Sequence, residues 1–243
     1  MSVVAVPYHL DEYLPDLELP LHPEDAGVVV AVELPAGAPW ERLAVLYEQV
    51  AESVAARVSE GEVTVLSGDC AVSLGTMAGL QRAGLSPGIV WLDAHGDVQT
   101  PETTSSGYLA GMPLRLLAGY RPELIAGVLG LKPVPEQRIV LAGARDLDPP
   151  EEAYLAASLI TTCEVAALAG ARLPGGPLYV HVDADVIAPP TSRACASPRR
   201  ADRPWPRLPT PSRCCEPRAG PPRSVSPAAG FLATVSPPLS SRA

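Results

Sequence analysis

Acid and imidazole recur at every second position in one short stretch: Asp93, His95 and Asp97, within IVWLDAHGDVQTPETTSSGYLAGMP at 89–113. Four apolar residues, 89–92, lead into it and are long enough for a buried strand. Side chains of an extended chain alternate between faces, so these three point the same way, with small Ala94 and Gly96 between them. Oxygen and nitrogen donors converging at a strand end can hold a hard or borderline divalent cation. An acidic turn with His95 capping it is the plainer reading of a lone DxHxD. A second acidic pair weakens that reading: Asp183 and Asp185 follow another apolar run, 178–182, in LYVHVDADVIAPP. Four carboxylates facing one another would repel, and some would take up protons. Two divalent ions would neutralise them, so a binuclear centre is the economical explanation.

Holding these residues needs strands that end at one edge, and the chain alternates strand and helix signals throughout. Strands are expected at 3–7, 27–34, 63–66, 89–92, 138–142, 158–162 and 178–182. The clearest helix is 39–58, where Trp40, Leu43, Leu46, Val50, Val54 and Val58 recur at spacings of three and four. Further helices are expected at 72–83, from 112 to 118 with continuation to 129, and at 150–157, with a helical turn at 164–169. Alternation of this kind predicts an α/β fold with a mostly parallel, doubly wound sheet. Such sheets place ligands at the carboxyl edge of their strands.

The chain has 243 residues, 47% of them hydrophobic, and a formal net charge of −9. That is enough for one domain with a sizeable core. Its acidity disfavours nucleic acid and anionic membranes as partners. No apolar run approaches the roughly 20 residues of a membrane span. The N-terminal MSVVAVPYHLDEYL lacks a basic region and carries acids early, unlike a signal peptide. Five cysteines without framework spacing suggest a reducing compartment. A cytoplasmic protein is the expectation.

Composition breaks near Ala188. Residues 1–188 hold nine Lys and Arg against 25 Asp and Glu, whereas 189–243 hold nine against two, with 13 of the 29 prolines. The first part is expected to be the α/β domain, incomplete, and 189–243 a Pro-, Arg- and Ser-rich disordered tail. An out-of-register translation of a GC-rich gene would account for the abrupt loss of pattern. Reading the coding DNA in the other two frames tests it.

Taken in order, three segments resemble the arginase/agmatinase ureohydrolases: Ser67-Gly68-Asp69-Cys70, the DAHGD stretch, and HVDADVIAPP. They are similar to that family's GGDHS-type, DAHxD and SxDxDxxDP-type motifs. DAHGDVQTPETTSSGYLAGMP also resembles the arginase segment DAHTDxNTPxTTxSGxxHGxP, and GARDLDP at 143–149 resembles a substrate-binding segment. The resemblance covers roughly 1–187. It implies a three-layer arginase-like fold and hydrolysis of a linear amidine, a guanidino compound, to urea and an amine. It implies two Mn²⁺ ions bridged by Asp93 and Asp183, with Asp97 on the first ion and His95 and Asp185 on the second. Asp97 would also orient the hydroxide that two metals supply from a shared water. Thr104, Ser106, Tyr108 and Asp148 would grip the substrate's amino-acid end. Trimers or hexamers are the assemblies it implies.

Departures from the family pattern carry their own expectations. Cys70 stands where the family has a metal-binding His; a thiolate there would favour Zn²⁺ over manganese, while a merely buried thiol would leave the first metal weakly held. Ala110 replaces a proton-shuttling His, and Ala188 replaces an acid. His181 takes a Ser-like position and reads as a core or supporting residue rather than a ligand. Asp146 and Asp148 are equally readable as helix caps before Pro150. His9 and His22 have no assigned partner. Beyond Pro190 the family's last strands and its guanidinium-holding glutamate are missing, which would leave the strand at 178–182 as an exposed, aggregation-prone edge. Two alternatives to a ureohydrolase therefore stand: a catalytically impaired metal-binding homologue, and a hydrolase of a different C–N bond on the same scaffold.

Overall fold

The computed structural model describes residues 2–15, 17, 27–187 and the strand at 231–236. The main sheet contains eight strands: β1 (Ser2–Val6), β4 (Val28–Val29), β5 (Val63–Ser67), β6 (Gly88–Leu92), β7 (Ile139–Ala142), β8 (Thr161–Cys163), β9 (Leu178–Val182) and β10 (Phe231–Ser236). Their order across the sheet is β4-β1-β5-β10-β9-β6-β7-β8. A separate hairpin pairs β2 (Tyr8–His9) with β3 (Glu12–Tyr13).

The chain winds outward from β1 to β4, returns to β5, crosses to β6, β7 and β8, and comes back to β9. Apart from β10, all pairings within the main sheet are parallel. The expected doubly wound α/β class therefore holds. All residues of β5 and β7 are buried, as expected for strands covered on both faces.

Helix α1 spans Pro39–Val58, as the periodicity predicts, and buries Trp40, Leu43, Leu46, Tyr47, Val50, Ala51, Val54 and Val58. Pro39 occupies its first turn, and Glu41 accepts a hydrogen bond from the Ala38 N–H at 3.0 Å. Helix α2 (Ser73–Arg82) packs closely on α1. A Cβ at Gly75 or Gly79 would lie 2.8 or 2.6 Å from the carbonyl oxygen of Tyr47 or Ala51, so glycine permits this approach. Helices α3 (Pro113–Leu117) and α4 (Pro149–Ala157) complete the set.

Three expectations change. The second strand shrinks to Val28–Val29. The helix beginning near 112 stops at Leu117, because Gly119 and Arg121 adopt positive φ of 102° and 40°. The slot beside β9 is filled rather than exposed: β10 pairs antiparallel with both β5 and β9, placing Leu232 opposite Leu66 and Val182. Backbone hydrogen bonding on both sides removes the exposed edge expected for β9. A tail without a strand pattern can still supply one short segment, FLATVS, to an open ladder. The rest of the expected tail, 189–230 and 237–243, lies outside the described residues, as do Ala188 and His22.

Candidate metal centre

Parallel pairing of β6 with β9 puts Leu92 beside Val182. The ladder continues one step further: the Asp183 N–H donates to the Leu92 carbonyl at 2.8 Å, and the Asp93 N–H to that of Ala142 at 3.1 Å. Asp93 and Asp183 thus leave the carboxyl edge side by side. The sequence predicts two strand tips meeting; the register supplies the meeting.

Short polar bonds then fix the cluster. Asp93 Oδ1 accepts from the His95 N–H at 2.7 Å, and Asp183 Oδ1 from the Asp185 N–H at 2.9 Å. Asp185 Oδ1 accepts from the Ala94 N–H at 3.0 Å, stapling the two tips together. His95 Nδ1 lies 2.9 Å from Asp185 Oδ2 and 3.4 Å from Asp93 Oδ1. From β5, Cys70 enters with its Sγ 3.6 Å from both Asp93 Oδ2 and Asp183 Oδ2. Asp97 is buried at a positive φ of 53°, and its carbonyl accepts from the Leu114 and Arg115 N–H groups. A non-glycine residue in that region is strained, and strain of this kind concentrates at functional sites. Its Oδ2 has no hydrogen-bond partner among the described residues.

The charge balance follows. Burial raises the Asp93 carboxyl, and burial plus Asp93 pushes Asp97 well above the usual range. Burial, then Asp93 and Asp185, pushes Asp183 up to about 8. The Cys70 thiol is pushed well up by burial and by Asp97, Asp93 and Asp183. Hydrogen bonds to Asp185 and Asp93 push His95 up to about 11. Burial opposes ionisation of Asp185, but its bonds to His95 and Ala94 outweigh that and hold it below its ordinary value. Acids this buried and this close call for positive charge, and an acceptor-only oxygen without a partner is a natural ligand. Among the described residues, two donor groups are compact enough for an ion: Asp93, His95 and Asp185, and separately Cys70, Asp93 and His181, each with ligand atoms within 4.8 Å of one another. The donor set therefore fits divalent cations.

The remaining candidates make local contacts. Thr104 Oγ1 accepts from the Gly107 N–H at 3.1 Å, and Ser106 Oγ from the Tyr108 N–H at 3.2 Å. Tyr108 stacks on His9 with centroids 5.8 Å apart. Burial, then Asp69 and Cys70, raises its hydroxyl well above the ordinary value, consistent with a place beside the cluster. Asp148 sits at the N-cap of α4 and accepts from Gln99 Nε2 at 3.0 Å.

Several participants escaped the sequence reading. Trp91 donates its indole N–H to Asp93 Oδ2 at 3.1 Å. Arg145 donates to the backbone carbonyls of Asp185 at 2.7 Å and Val186 at 3.2 Å. His9 reaches Tyr108 and Gly68. His181 joins the Cys70 group; its shared phase with Asp183 along the strand was the available signal.

A family model described as "Arginase family" matches residues 8–201. The chain belongs to the arginase family. It is 37% identical over 118 residues to an arginase of Neurospora crassa, covering 44% of this chain and 33% of that protein. It is 42% identical over 114 residues to the human mitochondrial Arginase-2, covering 44% and 32%. The chain thus spans about a third of the length of these relatives. The solved arginase of Bacillus caldovelox shares its fold with a TM-score of 0.57 at 24% identity, covering 70% of this chain and 66% of that one. Among the described residues, no helix of this arginase-family chain is long and apolar enough to cross a membrane.

Proposed function

We propose that this chain hydrolyses a linear guanidino compound to urea and an amine, as an arginase-family hydrolase with a pair of divalent cations. The observation that carries the reading is the convergence of Asp93, His95, Asp97, Asp183 and Asp185 at two adjacent strand tips. Asp93, His95 and Asp185 would hold one cation, with manganese the family expectation for such hard donors; Asp93, Asp97, Asp183 and Cys70 border the other. When bound, the cations supply Lewis acidity that makes water a competent nucleophile at neutral pH.

The residues themselves do the rest. Asp97 is the catalytic residue: its unpaired Oδ2 orients the attacking water and takes its proton. The water oxygen bonds to the guanidinium carbon, one C–N bond breaks, and the amine leaves with a proton. Thr104 and Ser106 offer hydroxyls, Tyr108 a phenol and Asp148 a carboxylate to the substrate's far end. Ala110 is buried and apolar, so that position moves no proton; this favours, as a second reading, a metal-binding homologue with impaired turnover.

The test is urea release from arginine, agmatine and guanidinobutyrate by the purified chain, together with its metal content. Turnover lost in Asp97→Asn supports the hydrolase. Bound metal without turnover of any guanidine supports the impaired homologue or a different C–N bond.

A further inference from the structure

Cys70 and His181, like His95, depart from a carboxylate centre, and these two come together. Cys70 opens a 3-10 turn (Cys70–Val72) directly after β5. Asp69 locks that turn, its carboxylate accepting from the Ala71 N–H at 2.8 Å and the Leu10 N–H at 2.6 Å. His181 lies on β9 two residues before Asp183, opposite Trp91 in the ladder. Its ring stacks on Trp91 with centroids 3.6 Å apart and planes 13° apart. His181 Nδ1 lies 3.2 Å from the Tyr179 hydroxyl. If Nδ1–H donates to that oxygen, Nε2 presents a lone pair, which is how a hydrogen bond at one ring nitrogen prepares the other for a metal.

A ring nitrogen of His181, Cys70 Sγ and an Asp93 oxygen lie within 4.8 Å of one another, and all three residues are buried. Zinc with one sulfur, one nitrogen and one oxygen ligand has bonds of about 2.0–2.3 Å, so tetrahedral donors sit about 3.5 Å apart. Binding would draw these donors from within 4.8 Å of one another to that spacing. Asp183 Oδ2, 3.6 Å from Cys70 Sγ, borders the fourth position.

We propose that the inner half of the centre is a zinc-class site made by Cys70, Asp93 and His181, beside a harder outer site made by Asp93, His95 and Asp185. The proposal rests on the two-cation reading of the centre but not on the reaction. A thiolate and an imidazole select a borderline-soft ion. The centre is therefore mixed, with Asp93 shared between two ions of different preference.

The test uses the full chain, stripped with a chelator and refilled with Co²⁺, a spectroscopic stand-in for zinc. One equivalent gives a near-ultraviolet sulfur-to-cobalt charge-transfer band and intense tetrahedral visible bands. Cys70→Ser abolishes the charge-transfer band. His181→Gln lowers the visible intensity and weakens Zn²⁺ binding, measured by competition with a chromophoric chelator, by at least about tenfold. Tyr179→Phe, a milder change read if His181→Gln does not fold, weakens it about tenfold. Asp185→Asn leaves the band in place. Cobalt uptake without the band, no uptake by the folded chain, or zinc affinity unchanged in both Cys70→Ser and Tyr179→Phe overturns the proposal. A band without urea release sinks only the hydrolase reading; urea release with manganese and no band sinks only this one.

Discussion

Asp183→Asn is expected to stabilise the cation-free protein while weakening its response to cations. The Asp183 carboxyl sits at about 8 in the folded chain, against an ordinary unfolded value near 3.9. Between these values the folded state keeps a proton that the unfolded state releases. For an acid raised in this way, stability is fully present below the unfolded value and is lost as pH rises through the folded one. At pH 7 the difference spans about three units, or about 4 kcal/mol. Asp93 and Asp185 share the repulsion, so removing one carboxyl recovers about 2–4 kcal/mol. The asparagine oxygen still accepts from the Asp185 N–H, so the local turn survives. Chemical denaturation in chelator reads the effect. Asp183 alone should contribute a loss of up to about 1.4 kcal/mol per pH unit between pH 4 and 8, so the wild type should fall more steeply than the variant by about that much, and the two should converge near pH 4. Saturating Mn²⁺ or Zn²⁺ should narrow the gap, since cation at 100 times its Kd adds about 2.7 kcal/mol to a protein that binds it and the variant binds it less well. A variant less stable than wild type in chelator at pH 7, or a wild type that falls no more steeply with pH than the variant, would refute the reasoning.

Trp91→Phe keeps a ring against His181 but removes the N–H donated to Asp93 Oδ2; cation affinity, measured calorimetrically, should fall about tenfold. Gly143→Ala forces a side chain onto φ of +95° and puts its Cβ 2.7 Å from Val186 Cγ2; the denaturation midpoint should report a loss of about 1–3 kcal/mol. Asp148→Ala should raise KM for the guanidino substrate with kcat unchanged; an unchanged KM removes Asp148 from the substrate site and leaves it as a helix cap.

Much of the centre is legible in the chain because the apolar runs that lead into its donors are local. The apolar runs before Asp93 and Asp183 mark strands and so place the donors at strand tips, but the strands end at Leu92 and Val182: the bend after Asp93, the positive φ of Asp97 and the 3-10 turn at Ala184–Val186, not extended alternation, aim His95, Asp97 and Asp185. Helix α1 is legible for the same reason, since its period repeats over five turns. What the chain could not disclose depends on residues far apart in sequence. The β6–β9 register decides that Asp93 meets Asp183. Packing against Trp91 and Tyr179 goes with a buried His181 ring that lies within 4.8 Å of donor atoms of Cys70 and Asp93. The short strand at 231–236 has no pattern strong enough to announce it, yet it completes the ladder because open backbone N–H and C=O groups on β5 and β9 need partners. Composition and spacing thus determined which donors exist and which strand tips carry them. Only the tertiary structure decided their partners, because hydrogen-bond register, ring stacking and burial are properties of neighbours in space.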